Sequence, residues 1–211
     1  GTTTSAKDLL TLDGKTSVTL DVSTLALPII GTAEDVKKVY ESAGIGAFSG
    51  AETVTLSGTV KAADANAVVK LAGATAVVTA TVAADTAAKL LVALDDAKAT
   101  DKLNLTVNGS TAKAADLTAL KAKTATATNP IKVDAKEITG TSTELSTVGF
   151  TTGFTGISTK NLKVTNSDGT VANINTILGL TTSIVTATVA GTAATLNSTL
   201  TNATNGKDAL T

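Results

Sequence analysis

Apolar positions along this chain follow two alternating rhythms. Short β-branched runs with a period of two give way to Ala- and Leu-rich runs whose apolar residues fall three and four apart; the first pattern predicts strands, the second helices. Strands are predicted at Ser17–Leu20, Thr53–Leu56, Val77–Val82, Leu103–Val107, Ile131–Asp134, Leu162–Thr165 and Ile184–Val189. In Leu103-Asn-Leu-Thr-Val107 the alternation puts every apolar side chain on one face. Helices are predicted to begin near Ser5, Thr32, Thr59, Asp85, Thr111, Thr141, Thr170 and Thr192, where a side-chain oxygen can accept an otherwise orphaned backbone N–H. Glu34, Asp35 and Glu144 suit the positive end of the helix dipole. Leu90, Leu91 and Leu94 form an apolar stripe, and Gly44, Gly73, Gly149, Gly179 and Gly206 are helix stops.

The helix starts share a phrase. Ser5-Ala-Lys-Asp-Leu9, Thr32-Ala-Glu-Asp-Val36, Thr86-Ala-Ala-Lys-Leu90, Thr141-Ser-Thr-Glu-Leu145, Thr170-Val-Ala-Asn-Ile174 and Thr192-Ala-Ala-Thr-Leu196 each place an apolar residue four positions after a hydroxyl. From 5 to 32, 32 to 59 and 59 to 86 the step is 27 residues; along 111, 141, 170 and 192 it becomes 25, 30, 29 and 22. A recurring step of this size predicts a solenoid, whose repeats bury their apolar faces against their neighbours. The expected fold is α/β: one array over residues 1–211 of about eight strand–turn–helix repeats, with a parallel sheet on one face and right-handed crossovers. Lys37, Lys38, Lys70, Lys121 and Lys123 would lie on the outer face of the helices. A right-handed parallel β-helix is the alternative. Two inserts interrupt the array, Val22–Ile30 with Pro28 and Gly149–Ser158 with Phe150 and Phe154. Lys61-Ala-Ala-Asp64 and Lys113-Ala-Ala-Asp116 form a second subtype, which leaves those two caps open by two or three residues.

Composition narrows the chemistry. Hydrophobic residues make up 43% and aromatics 2%, so the core must be built from Ala, Val, Leu and Ile. Cys, His, Met, Trp, Arg and Gln are absent. No disulfide, thiolate or imidazole metal site can form, nor any Ser/His/Asp or Cys/His catalytic set. The formal charge is −1, with the 17 basic residues, all Lys, dispersed among 18 acidic ones; nothing suits a phosphate backbone, and nucleic acid is not an expected partner. No apolar run is long enough to span a membrane. No signal peptide is visible at Gly1, and with no Met the expectation is that processing or trimming has removed the start. A Cys-free chain rich in Thr, Ala, Gly and Asn is of a kind common among secreted bacterial surface proteins.

Few residues carry chemistry beyond this. Asn166-Ser-Asp168-Gly169-Thr170 has the oxygen spacing of a calcium-loop start but lacks the remaining ligands and the distal Glu, so a turn leading into a cap explains it equally well. Calcium is thus the one ion worth weighing; no catalytic, cofactor-binding or metal residue is assigned, and an enzyme is not expected. Leu12-Asp13-Gly14-Lys15 reads as a turn, and Asp95-Asp96 with Lys98, and Asp101-Lys102, as solvated loop. Lys61 and Lys113 read as surface solvation. Thr53/Thr55, Thr79/Thr81 and Thr186/Thr188 are Thr-x-Thr pairs that, stacked on successive strands, would form a hydroxyl ladder of the ice-binding kind; the alternative is that Thr simply favours strands.

Gly31-Thr-Ala-Glu-Asp-Val36, Gly140-Thr-Ser-Thr-Glu-Leu145 and Gly191-Thr-Ala-Ala-Thr-Leu196 resemble the Gly-Thr-Ala-Ala-Asp-Leu repeats of very large secreted proteins of cyanobacteria and related bacteria. Tyr40-Glu-Ser-Ala-Gly-Ile-Gly46 followed by Glu52-Thr-Val-Thr-Leu56 is similar to the linker and strand of those repeats, and Phe150–Ser158 departs from the phrase. The resemblance implies an extracellular or cell-surface structural protein, of a surface layer, fibre or adhesin, and carries no site residues. Leu9, Leu10 and Leu12 near one end, and Leu196, Leu200 and Leu210 near the other, are expected to lie bare and favour head-to-tail self-association, a contact that propagates into filaments. An ice- or carbohydrate-binding module using the Thr-rich strand face is the alternative function.

Overall fold

A computed structural model describes residues 4–23, 28–147, 152–166 and 169–211. Its strands pair in parallel throughout, joined by short helices, so the class is α/β. The chain divides into two compact units: Gly1–Ala83 with Leu91–Leu105 and Ala122–Asn129, and Ala84–Leu90 with Thr106–Lys121 and Pro130–Thr211.

The first unit contains β1 (Thr4–Ser5), α1 (Ala6–Asp13), β2 (Leu20–Asp21), β3 (Ile29–Gly31), α2 (Ala33–Glu41), β4 (Ile45–Gly46), β5 (Thr53–Val60), α3 (Ala62–Ala72), β6 (Val77–Val82) and, beyond α4 (Ala87–Ala93), β7 (Lys102–Asn104). Its main sheet runs β1-β3-β5-β6-β7, and β2 pairs with β4. Thr4 pairs with Ile29, Ile29 with Val54, Val54 with Val78 and Thr79 with Lys102, so each partner lies 23–25 residues further on. Ile29, Val54 and Val78 form one inward row, all fully buried.

The second unit contains β8 (Thr106–Val107), β9 (Thr111–Lys113), α5 (Ala114–Leu120), β10 (Ile131–Val133), β11 (Glu137–Gly140), α6 (Ser142–Ser146), β12 (Phe154–Thr155), β13 (Asn161–Val164), α7 (Val171–Leu178), β14 (Val185–Ala187), α8 (Ala193–Thr199) and β15 (Ala209–Leu210). One sheet runs β9-β11-β13-β14-β15 and a smaller one β8-β10-β12. Ala112, Ile138, Leu162 and Val185 make its inward row, all buried, with steps of 23–26 residues. Each Val or Leu buried in such a row contributes about 1.5–3 kcal/mol.

Local chemistry explains most helix starts. Ser5, Thr32, Thr141, Thr170 and Thr192 are N-caps whose hydroxyls accept the N–H of Asp8, Asp35, Glu144, Asn173 and Thr195. At Thr141 the Glu144 carboxylate also accepts the Thr141 N–H at 2.8 Å, completing a capping box. The Gly before the cap has a packing role. A Cβ on Gly31 would stand 2.8 Å from Ala6 Cβ, on Gly140 2.9 Å from Ala114 Cβ, and on Gly169 2.9 Å from Ser142 Cβ. The Gly-Thr-Ala phrase therefore joins a backbone that must come close to a first helical residue that must be small.

Several expectations need correction. Thr59 lies within β5 and Thr111 within β9; the caps of α3 and α5 are Lys61 and Lys113, two residues later, and neither makes a side-chain cap bond. α4 starts from Thr86, whose carbonyl accepts the Leu90 N–H at 3.0 Å, while Asp85 sits in a bridge to Val107. Of the predicted stripe, Leu90 and Leu94 are buried and Leu91 half-buried. Leu103–Val107 is two strands, β7 and β8, which join different sheets on either side of Leu105. Of Ser17–Leu20 only Leu20 is in a strand. The Val22–Ile30 insert supplies part of β3. Gly73 and Gly179 do follow helices, but Gly44 lies two residues past the Ser42 cap and Gly206 in the turn before β15; Gly14, read as a turn residue, closes α1. Leu9 is buried, Leu12 is exposed, and Leu196, Leu200 and Leu210 are half-buried. Gly149, Phe150 and Ser167–Asp168 fall outside the described residues.

Candidate functional site

Several polar side chains join segments 23 to 30 residues apart in sequence. The inward rows do not end on an aliphatic residue. Because Thr79 pairs with Lys102, the position beside Val78 in β7's line is Asp101; because Thr186 pairs with Ala209, the position beside Val185 is Asp208. Asp101 Oδ1 accepts the Val78 N–H at 2.9 Å and Oδ2 the Lys98 N–H at 2.9 Å. Asp208 Oδ1 accepts the Val185 N–H at 3.1 Å and Oδ2 the Thr204 N–H at 2.9 Å. Both carboxylates are buried, so Asp101 is not in the solvated loop that its neighbours suggest. Each carboxylate gives two backbone donors the acceptors that a further strand and a turn would otherwise provide, which offsets the cost of burying charge. On the far side of Asp101, Thr124 Oγ1 accepts the Leu103 N–H at 2.9 Å and donates to backbone carbonyls of this segment, sealing the edge of β7.

A second junction uses the fifth residue of a helix. Asn66 of α3 accepts the Asp96 N–H at 2.8 Å through Oδ1, and its Nδ2 donates to Asp96 Oδ2 at 2.9 Å. Asn175 of α7 accepts the Asn202 N–H at 2.9 Å in the same way, and its carbonyl receives Asn202 Nδ2 at 3.0 Å. Lys98 Nζ donates to the Gly73 carbonyl, and Lys123 Nζ to that of Asp95. Asp95 and Asp96 are exposed, with the side chain of Asp96 taken up by Asn66.

The Thr-x-Thr pairs meet in part. In the main sheet of the first unit Thr55 pairs with Thr79 and Thr59 with Thr81, whereas Thr53 faces Val77. Thr53 and Thr55 are already out of line with Thr79 and Thr81 before the register slips beyond Thr55, around Gly58 at φ 73°; after the slip Thr59 faces Thr81. The rows then change character. Thr79 meets Lys102, and Thr81 meets Asn104, which donates to it at 3.4 Å and accepts from Asn129 at 2.9 Å. In the second unit Thr186 belongs to a row Lys113–Thr139–Lys163–Thr186, alternating cation and hydroxyl. Thr188 lies 3.4 Å from Thr211 across their hydroxyls.

The remaining candidate residues make contacts within the fold. Asn166 Oδ1 accepts the Ser142 N–H at 2.7 Å and Thr170 caps α7; the Ser167–Asp168 centre of the calcium motif lies outside the described residues. Asp13 accepts the Ser42 hydroxyl at 2.6 Å. Tyr40, stacked on Phe48 at 4.5 Å, has its phenol held well above the usual range by burial and by the nearby Glu52 carboxylate. Tyr40 Oη and Glu52 Oε2 are buried and make no hydrogen bond, while Glu52 Oε1 accepts the Gly50 N–H at 3.0 Å. Among the described residues no three acidic side chains converge on a point that could hold a metal ion, and no helix is long and apolar enough to cross a membrane.

The junction residues Asp101, Asp208, Asn66 and Asn175 were not singled out as sites from the sequence. The only local signal is an Asn placed inside an Ala- and Val-rich helix, where it has low propensity without a partner. Compared with protein-family models, curated proteins and solved structures, the chain matches none.

Proposed function

We propose that this chain is an extracellular structural repeat protein, a segment of a surface layer, fibre or adhesin, built as a strand–turn–helix solenoid whose repeats add end to end. The observation that carries this reading is that polar side chains bridge segments one repeat step apart. Asp101, Asp208, Asn66 and Asn175 hold backbone groups 23 to 30 residues away in sequence. Rigid, repeated joints are what a load-bearing or spacing element requires, and each repeat needs its neighbour to bury its apolar face. The Gly-Thr-Ala phrases that resemble secreted bacterial repeats support the location at the cell surface. Head-to-tail addition is favoured by the face of α8. Leu196 occupies the position that is buried as Leu9, Val36, Leu145 and Ile174 in the other capped helices, yet it is half-exposed.

The test is electron microscopy with sedimentation over a range of concentrations. Filaments or concentration-dependent oligomers are expected. Monomers at every concentration, with a melting point independent of concentration, overturn assembly of separate subunits. The ice-binding reading draws on the Thr55–Thr79 and Thr59–Thr81 pairs, and weakens where the rows pass to Lys102 and Asn104. Thermal hysteresis in the purified protein would establish that reading in place of this one.

A further inference from the structure

The chain contains two Asn-Gly dipeptides, Asn108-Gly109 and Asn205-Gly206, and the fold treats them differently. Asn-Gly is the dipeptide most open to intramolecular attack, because glycine leaves its backbone nitrogen unshielded. Asn108 is half-buried and donates its N–H to the Asp85 carbonyl at 3.0 Å. The Gly109 carbonyl accepts the Lys136 N–H at 3.3 Å, and a Cβ on Gly109 would lie 3.3 Å from Thr86 Cγ2. That dipeptide is pinned on both flanks between β8 and β9. Asn205 and Gly206 are exposed in the turn before β15, and among the described residues neither the Asn205 side chain nor the Gly206 N–H makes a hydrogen bond. Gly206 has φ 75°, and nothing lies within 4 Å of a Cβ built on it.

We propose that Asn205-Gly206 is a self-modifying site at which the backbone converts spontaneously to an isoaspartyl link. The deprotonated Gly206 nitrogen attacks Asn205 Cγ. A new C–N bond forms, the Cγ–Nδ2 bond breaks, and ammonia leaves with the proton, giving a cyclic imide. Water then opens either imide carbonyl, producing aspartate or isoaspartate at 205, with no oxidant or reductant involved. The setting gives this reaction a structural effect. The Thr204 carbonyl accepts the N–H groups of Lys207 and Asp208, both at 3.2 Å, while the Thr204 N–H is held by Asp208 Oδ2. The isoaspartyl form lengthens the main chain by one methylene inside this closed turn, and the bonds from Thr204 to Asp208 cannot all persist. Asp208 is also the residue that accepts the Val185 N–H, so the modification loosens β15 from β14.

The test is to age the purified protein at mildly alkaline pH and map its peptides by mass spectrometry in heavy-oxygen water, with enzymatic methyl labelling of isoaspartate. Label at 205 is expected to accumulate at least roughly ten-fold faster than at 108, the ratio that about 1.4 kcal/mol of local restraint gives. Asn205→Gln, whose longer side chain would need a less favourable ring, and Gly206→Ala should each suppress it. Hydrogen exchange should show residues 209–211 opening in the labelled fraction only. Asn205→Asp, which adds the charge without the methylene, should leave that exchange unchanged. Equal label at both dipeptides, no label at 205, or unaltered exchange in the isoaspartyl fraction would each overturn the proposal.

Discussion

The two units solve the same problem with the same residue and finish it differently. Each runs an aliphatic row through its sheet and ends it on an aspartate that accepts the N–H of the last valine, Asp101 under Val78 and Asp208 under Val185. In the first unit the far side of that aspartate is closed as well, since Thr124 binds Leu103 and the Asp101 carbonyl receives the Ala125 N–H at 2.7 Å. In the second the aspartate is followed by β15, whose Ala209 is exposed; besides the Val185 and Thr204 N–H groups, the carboxylate has an ion pair with Lys207 at 3.6 Å. The difference separates two roles of one side chain. Accepting the valine N–H completes the sheet behind it, whereas sealing the edge in front depends on what comes next.

Substitutions at the two aspartates separate their roles. Asp101→Ala leaves one buried donor, from Val78, and one part-buried donor, from Lys98, without acceptors and should cost about 3 kcal/mol in urea melts. Asp208→Ala should cost less, about 2 kcal/mol, because water can reach part of its turn. Equal losses would mean that the two aspartates are held alike. Asp101→Asn sharpens the contrast: the amide can accept only one of the two N–H groups and presents its NH₂ to the other, so the loss should fall between that of alanine and none.

Close packing gives the next effects. Gly31→Val and Gly140→Val drive a side chain into Ala6 and Ala114, one in each unit, and should each cost about 2 kcal/mol by overpacking. A neutral result would mean that the Gly-Thr-Ala phrase is not a packing requirement. Smaller effects come from the caps. Thr32→Ala and Thr141→Ala should each lose about 1 kcal/mol, whereas Lys61→Ala and Lys113→Ala, whose side chains cap nothing, should stay within about 0.5 kcal/mol. Melts that rank the lysines with the threonines would remove the two cap classes.

The smallest effect at neutral pH belongs to Tyr40, found in the first unit only. Its folded pKa is raised, so the neutral phenol is favoured in the folded state. The stability this adds is fully present below about pH 10, the ordinary value for tyrosine, and is lost as pH rises through the folded value. Tyr40→Phe should flatten the alkaline limb of a stability–pH curve and leave the neutral region nearly unchanged. An unaltered alkaline limb would assign the loss to another group.

What the sequence made legible was local. A hydroxyl followed by a helix-forming run identified Ser5, Thr32, Thr141, Thr170 and Thr192, since capping is decided within four residues. Val77–Val82 was bounded correctly because it is long enough to show alternation. Strands of two to four residues such as β1, β3, β4 and β11 carry too little pattern to stand out, and they exist because a neighbouring parallel strand supplies their hydrogen bonds. Asp101 illustrates the other limit. Thr-Asp-Lys reads as surface, and only pairing with a strand 23 residues earlier buries it. The junction asparagines were missed for the same reason, while of the Thr-x-Thr pairs only some hydroxyls stack, Thr55 on Thr79 and, past the register slip, Thr59 on Thr81.

The buried aspartates also bear on how such a chain finds its alignment. Parallel strands of similar length and composition can pair one residue out of step, and with Ala, Val and Thr throughout, many slipped pairings would bury tolerable surfaces. A slip of one residue at the end of either row would replace Asp101 with Lys102 or Thr100, and Asp208 with Lys207 or Ala209. Neither an ammonium nor a methyl can accept the waiting valine N–H, and the single hydroxyl of threonine cannot satisfy both donors. Each aspartate therefore acts as punctuation in a monotonous text, making the correct reading frame the only one in which the closing contacts are satisfied.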